Sequence, residues 1–413
     1  MRTQGGGINL TTIAASRLAG AVKSTTLHSR LGRTFLTGLL WFAVASPVTA
    51  VIYETDTLKV SGDFRVRGEY DWNSQNGSGA KRDDRGRLRI RARLGMNYMP
   101  TEYADFGLRL RTGSDDSQQS PHITVIDFDD NDTGDADINF DKWFLKGRYG
   151  AFSTWVGRNS LPIWKPNELF WDDDVTPAGV AVAYKSGMGE SSSLGLNAGY
   201  YSLPAGMREL CGNLGQGQAV FTTNAGDVGL TFAAGGFKFM GDSDDSDCQN
   251  EENGGFYLQD NGLRDYTIWV GNVQGKFNLA GRPVKVGGDY MYNSEKYDAA
   301  DQEDHVTVDN EDQTNGWDVY VTYGDTRSEG NWLVGYWYAH IEQFAVNNSM
   351  AQDDWVRWGS ATQTRASNMK GHEFRGTYAL MSNMNLVARL YLVDAVKGKE
   401  DGNRFRLDFN YKF

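Results

Sequence analysis

The chain has 413 residues, and its 53 acidic against 41 basic side chains give a formal net charge of −12, which argues against nucleic acid as a partner. Glycine is frequent at 49, proline scarce at 8, aromatics reach 13 % and mean hydropathy is −0.52, so no ordinary helical membrane protein is hidden here. A β-barrel escapes that exclusion, because only alternate residues of its strands meet lipid.

Residues 1–50 contain no Asp or Glu. Arg30 and Arg33 precede an apolar run, Phe35 to Ala45, and Val48-x-Ala50 offers small residues for cleavage. This reads as a secretory signal, with residues 51–413 as one exported domain. The apolar run is too short to span a bilayer as a helix. Removing the segment takes away five basic residues and no acids, leaving 36 against 53 and a net charge of −17. No Pro-rich or Ser-rich spacer divides the remainder, so a single large β architecture is expected.

Leu58 to Trp72 alternates, with Leu58, Val60, Phe64, Val66, Tyr70 and Trp72 opposite Lys59, Asp63, Arg65, Arg67, Glu69 and Asp71. Asp84 to Tyr98 then carries Arg85, Arg87, Arg89, Arg91 and Arg93 at every second position, with Leu88, Ile90, Ala92, Leu94, Met96 and Tyr98 between and beyond. A period of two puts all the arginines on one face of a strand, whereas a helix would scatter them. Tyr103 to Thr112 repeats the pattern, with Arg109 and Arg111 on its polar face. Gly113 to Asp137 reads as a long acidic loop, followed by strands Ile138 to Tyr149 and Phe152 to Arg158. Further strands are expected near 178–186, 192–202, 217–224, 227–239, 264–279, 283–294, 314–324, 331–342, 369–380, 384–396 and 403–413.

Short turns alternate with long polar loops along this series. The expected fold is therefore all-β: a transmembrane antiparallel β-barrel of about 16 strands, with short periplasmic turns and long external loops. The last strand supports it. Phe405, Leu407, Phe409, Tyr411 and Phe413 share one face, which a soluble edge strand would expose as an aggregation hazard. An ending on Phe413 resembles the terminal strand that such barrels present to their assembly machinery.

Catalytic motifs are missing: there is no G-x-S-x-G, H-E-x-x-H or C-x-x-C. His340 and His372 fall on sequential strands and keep a barrel hydrolase as an alternative. Asp129, Asn131 and Asp135 lie in a stretch that mimics the start of a calcium loop, but Phe140 stands at the twelfth position and a strand follows, so a solvated acidic loop is preferred. Cys211 and Cys248 flank the 217–239 hairpin in expected external loops; they form a disulfide there or remain two distant thiols. The main constellation is electrostatic. Arg65, Arg67, Arg85, Arg87, Arg89, Arg91, Arg93, Arg109 and Arg111 crowd three adjacent strands and repel one another unless water or carboxylates compensate. Glu168, Asp172, Asp173 and Asp174 of the loop 159–177 are candidate partners.

Several stretches together carry a resemblance: S-G-D-F-R-V-R-G-E-Y (Ser61 to Tyr70), R-L-R-I-R-A-R-L-G (Arg87 to Gly95), D-K-W-F-L (Asp141 to Leu145), V-G-R-N (Val156 to Asn159) and L-F-W-D-D-D-V-T-P-A-G-V-A (Leu169 to Ala181). The first half of the exported domain is similar to the putative-porin family of Gram-negative outer membranes. That resemblance implies a passive channel for small hydrophilic solutes with no cofactor and no catalytic residues. It implies surroundings of outer-membrane lipid and lipopolysaccharide, and the trimers usual for sixteen-strand porins. It further implies that the third external loop, 159–177, folds into the barrel and narrows it. Asp172–Asp174 then stand across the lumen from the arginines, setting up a transverse field, or outside in solvent; both placements stay open. A conduit for an anionic polymer such as alginate shares the R-x-R opening and is the nearest rival, and a closed adhesive barrel is a third.

Overall fold

The computed structural model describes residues 53–114, 119–129, 136–203, 212–241, 265–301, 306–356, 358 and 365–413. Sixteen strands form the wall: β1 Leu58–Trp72, β2 Arg85–Thr101, β3 Ala104–Thr112, β4 Ile138–Tyr149, β5 Phe152–Arg158, β6 Ala178–Met188, β7 Ser192–Leu203 and β8 Gly212–Ala225. They continue as β9 Val228–Gly241, β10 Tyr266–Leu279, β11 Arg282–Asn293, β12 Asn315–Gly324, β13 Trp332–Ile341, β14 Met369–Met381, β15 Met384–Ala395 and β16 Gly402–Lys412. Each pairs antiparallel with its neighbours, and β16 returns to β1 with Lys412 opposite Asp63 and Asn403 opposite Trp72. The result is a closed sixteen-strand antiparallel barrel, as the alternation predicts.

Closure is completed at the chain's last residue. Phe413 and Gly62 exchange two backbone hydrogen bonds, of 2.9 and 2.7 Å. A Cβ on Gly62 would come within 2.6 Å of the Phe413 ring, so glycine there is what lets the ring seat against the first strand.

Alternation sorts the side chains as a barrel in lipid requires. Leu108, Leu145, Val156, Val273, Val286, Val319 and Val334 are exposed on the outer wall. Aromatics crowd both ends of that band: Tyr98, Tyr103, Tyr149 and Phe152 near the short turns, and Tyr70, Trp269, Tyr292 and Trp317 near the long loops. Two such belts at the depth of the headgroups are what a transmembrane barrel presents.

Two elements depart from the expected order. The loop 113–137 contains a short strand, Ile123–Asp127, that pairs with the upper half of β2 (Leu88 opposite Ile126) above the point where β3 ends. Its Ile-Thr-Val-Ile run of β-branched residues is the signal, overlooked because acidic residues surround it. The strand read as 217–224 in fact begins at Gly212, because its first residues, Gly-Asn-Leu-Gly, resemble a turn.

Candidate functional site in the barrel lumen

The inner face of β16, β1, β2, β3 and β4 is a lattice of guanidinium–carboxylate contacts. Asp63 receives Arg91 at 2.8 Å and Arg93 at 2.7 Å. Glu69 receives Arg87 at 2.6 Å and Arg89 at 3.4 Å. Arg67 bonds Asp408 at 2.7 Å, Arg404 bonds Asp71 at 2.6 Å, and Arg109 holds Asp141 with two nitrogens. Arg85, nearest the long-loop end, meets Asp127 of the short strand at 2.5 Å. Arg111 is buried and donates to the Ser114 carbonyl. The register explains the crowding: Arg65 lies opposite Arg91, Arg67 opposite Arg89, and Arg93 opposite Arg111. Like charges placed directly opposite destabilise a sheet, so the interleaved carboxylates are a structural requirement.

Two cations in this region bond neutral acceptors and form no ion pair among the described residues. Arg65 donates from Nε to the Asn410 side-chain oxygen at 2.6 Å, and Lys142 donates to the Ser160 hydroxyl at 2.7 Å. They add to a wall on which guanidiniums already outnumber carboxylates, since Glu69 serves both Arg87 and Arg89 and Asp354 serves Arg406, Arg389 and Arg67.

Two loops reach this lattice, each through one aspartate. From 159–177, Asp174 accepts Arg93 at 2.5 Å and Arg91 at 3.3 Å. From 342–368, Asp354 accepts a hydrogen bond from Arg389 at 3.2 Å and forms ion pairs with Arg406 at 2.5 Å and Arg67 at 3.7 Å. The loops also bond each other. The Asp172 N–H donates to the Met350 carbonyl at 2.8 Å, and the Gln352 side chain donates to Glu168 Oε2 at 3.3 Å. The placement of the acids therefore differs from both expected ones. Asp174 stands neither across the lumen nor in solvent; it is docked on the arginine strand itself. Asp173 turns into the interior cavity, where it meets Lys165 at 2.6 Å, while Glu168 and Asp172 back onto the second loop.

This geometry splits the titration of the loop's carboxyls. Burial pushes Glu168 up to about 7, with Lys165 opposing and Asp173 and Asp354 adding to the rise. Burial likewise holds Asp172 well above the usual range, reinforced by Glu168, Asp174 and Asp353. Asp174 is also buried, but the guanidiniums of Arg91 and Arg93 outweigh that and hold it well below the usual range.

The other half of the interior is aromatic. Trp155, Tyr201, Phe237, Phe239, Tyr266, Ile268, Tyr320 and Trp337 project inward from β5 to β13 and are buried. The loop 159–177 spans to this side: Phe170 packs edge-on against Phe237 at 4.6 Å, and Trp171 stacks with Phe239 at 6.5 Å. Gln218 of β8 clamps the loop backbone, accepting from the Trp164 N–H and donating to its carbonyl, both at 2.8 Å. Asn167 donates to Asp318 at 2.7 Å. Asp318 lies directly opposite Asp289, and neither has a lysine or arginine within ion-pair distance among the described residues.

Between the loop and β13–β15 lies a cavity of about 360 Å³, lined by Trp164, Lys165, Asp173, Trp337, Glu373 and Arg375 among others. Asp354, Glu373, Arg375, Arg389 and Trp337 were not singled out from sequence. The block Asp353-Asp354-Trp355 echoes Trp171-Asp172-Asp173-Asp174, and that echo was the available signal.

His340 and His372 project outward from β13 and β14 among aromatic rings, His340 stacked on Trp317 and His372 bonded to the Tyr336 hydroxyl at 2.8 Å, with no serine bonded to either among the described residues. Asp129 accepts from the Gly86 N–H at 2.7 Å, while Asn131 and Asp135 lie outside the described residues. Cys211, Cys248 and residues 1–50, expected to form a secretory signal, also lie outside them.

Comparison with known proteins agrees with the architecture. Residues 73–207 match the model of a family described as "Putative porin". In fold the chain is similar to Pseudomonas putida OprB in its high-pH structure, with a TM-score of 0.52, 14 % identity and coverage of 86 % of this chain and 94 % of that one. Similar too are Salmonella typhi OmpF in complex with daunomycin (TM-score 0.49, 12 % identity, 88 % and 100 % covered) and a loop L8 deletion mutant of Vibrio cholerae OmpT, an outer membrane protein (0.48, 11 %, 86 % and 99 %). Identities this low speak for the fold alone, and only the first reaches a TM-score of 0.5. No curated protein matches the chain. The family match, the barrel and its outer wall place the protein in the outer membrane of a Gram-negative bacterium.

Proposed function

We propose that this barrel is a passive diffusion channel for small hydrophilic solutes, with a preference for anions. The observation that carries the proposal is the pair of inward loops: Asp174 and Asp354 fasten loops 159–177 and 342–368 to the lumenal arginines. Charged groups ringing a narrow point sort solutes by size and charge. The anion preference rests on the excess of cations over carboxylates on this wall, to which Arg65 and Lys142, in no ion pair among the described residues, contribute. Residues Arg67, Arg87, Arg89, Arg91, Arg93 and Arg109 act in this reading as a paired scaffold, with Arg85 and Arg111 at its long-loop end. Such pairing disfavours the anionic-polymer conduit, which needs a continuous track of unpaired guanidiniums. His340 and His372 bond no serine among the described residues, which disfavours an outer-membrane hydrolase built on a Ser–His pair. Lipopolysaccharide and lipid contact the outer wall, Phe413 is read by the assembly machinery, and a homotrimer is the expected assembly. Reconstitution into planar bilayers tests the function: ohmic channels are expected, and folded, heat-modifiable protein that passes no current contradicts it.

A further inference from the structure

The cavity of about 360 Å³ between loop 159–177 and the β13–β15 wall is within the size of small-molecule sites, and a passive pore gives it no role. Most of its charges are paired, and burial holds the two lining carboxyls that are in no ion pair among the described residues, Glu168 and Asp172, toward the neutral form. On the loop side Lys165 meets Asp173 at 2.6 Å, and on the wall side Arg375 meets Glu373 at 2.6 Å. A paired carboxylate and ammonium or guanidinium keep spare lone pairs and N–H groups but little net charge. A free ion gains little from such a lining. A hydroxyl donates and accepts at once, so it can bridge both members of a pair.

Indoles supply the second half of the chemistry. Trp355 lines the cavity, is wholly buried, and its Nε1–H has no acceptor among the described residues. Trp337 is already covered, with the Arg375 guanidinium 4.1 Å from its ring centroid. Trp164 keeps partial exposure, unlike the buried Trp171, Trp337 and Trp355, and its backbone is fixed by Gln218. A partly exposed aromatic ring on a clamped backbone, beside mixed donors and acceptors, complements a molecule with one C–H face and a rim of hydroxyls. We infer that the cavity is a binding subsite for a neutral saccharide passing through the lumen, with Trp164 under the sugar ring and the two ion pairs on its hydroxyls. The inference rests on the channel reading above.

The test is current block in planar bilayers by D-glucose and maltose, with sodium phosphate and L-lysine as comparators, each normalised to the variant's own conductance. The saccharides are expected to interrupt the current in a concentration-dependent way. Trp164→Ala raises the half-blocking concentration about tenfold, the loss of one stacking contact. Trp143→Ala, on the outer wall, leaves it unchanged. Block by phosphate or lysine alone, or equal block in Trp164→Ala, overturns the subsite. Calorimetric titration of the same sugars into detergent-folded protein reads binding without conductance. Binding with no current sinks the channel and keeps the site; current with neither binding nor block sinks the site and keeps the channel.

Discussion

From β16 through β4 the inner wall is a lattice of arginines and carboxylates, while from β5 to β13 it is a packed aromatic layer. The loop 159–177 is fastened to both, by Asp174 on one side and by Phe170 and Trp171 on the other. The difference teaches how a water-facing interior holds a loop still. On the charged side each contact is directional and depends on ionisation, so removing one partner strands the others in low dielectric. On the aromatic side contacts are many, non-directional and indifferent to pH.

The largest expected effect breaks the charged side. Asp354→Ala leaves Arg406, Arg389 and Arg67 without their shared carboxylate and costs about 3–5 kcal/mol, read from urea unfolding of detergent-folded protein. A cost below about 1 kcal/mol would mean that the lattice does not depend on the second loop. On the aromatic side, Phe237→Ala removes the ring under Phe170 and costs about 3 kcal/mol, alike at pH 4 and pH 7. A pH-dependent cost there would blur the distinction between the two sides.

A smaller effect sharpens the comparison through pH. The raised Glu168 favours the docked loop when protonated, so its contribution is full below about pH 4.5, the usual carboxyl range, and fades as pH rises through about 7. Asp174, held low by Arg91 and Arg93, acts oppositely: its contribution is present above the usual range and is lost in strong acid. Limited proteolysis of the loop should therefore accelerate above pH 7, and Glu168→Gln should abolish that acceleration. The smallest effect concerns the acid pair that anchors Asn167. Asp318→Asn relieves two carboxyls facing each other across β11 and β12 and should stabilise the barrel by up to about 1 kcal/mol; destabilisation would show that the second carboxyl is needed.

The sixteen strands were legible because nearly all alternate, one face for lipid and one for water, and because β1, β2 and β16 do so without interruption. The aromatic half of the lumen was not. In β10, Tyr266, Ile268 and Val270 point inward while Trp269 and Val273 point outward, so apolar residues fill both faces and a period of two cannot say which one faces the core. The second inward loop was hidden for a related reason. Phe344, Val346, Met350, Trp355 and Val356 are apolar residues in a stretch that reads as an external loop, and only tertiary packing buries them. Charge crowding named Asp174 as a candidate partner of the arginines but could not say that Arg91 and Arg93 are the ones it meets.

The most direct test of the central claim is the reversal potential of single channels in a KCl gradient. An anion-preferring channel is predicted, and replacing Arg65 and Lys142 together by glutamine should remove most of the preference, while replacing the pair Arg109 and Asp141 by glutamine and asparagine, which leaves the net charge unchanged, changes it little. A cation-preferring wild type, or a potential unmoved by the Arg65 and Lys142 replacements, would contradict the account.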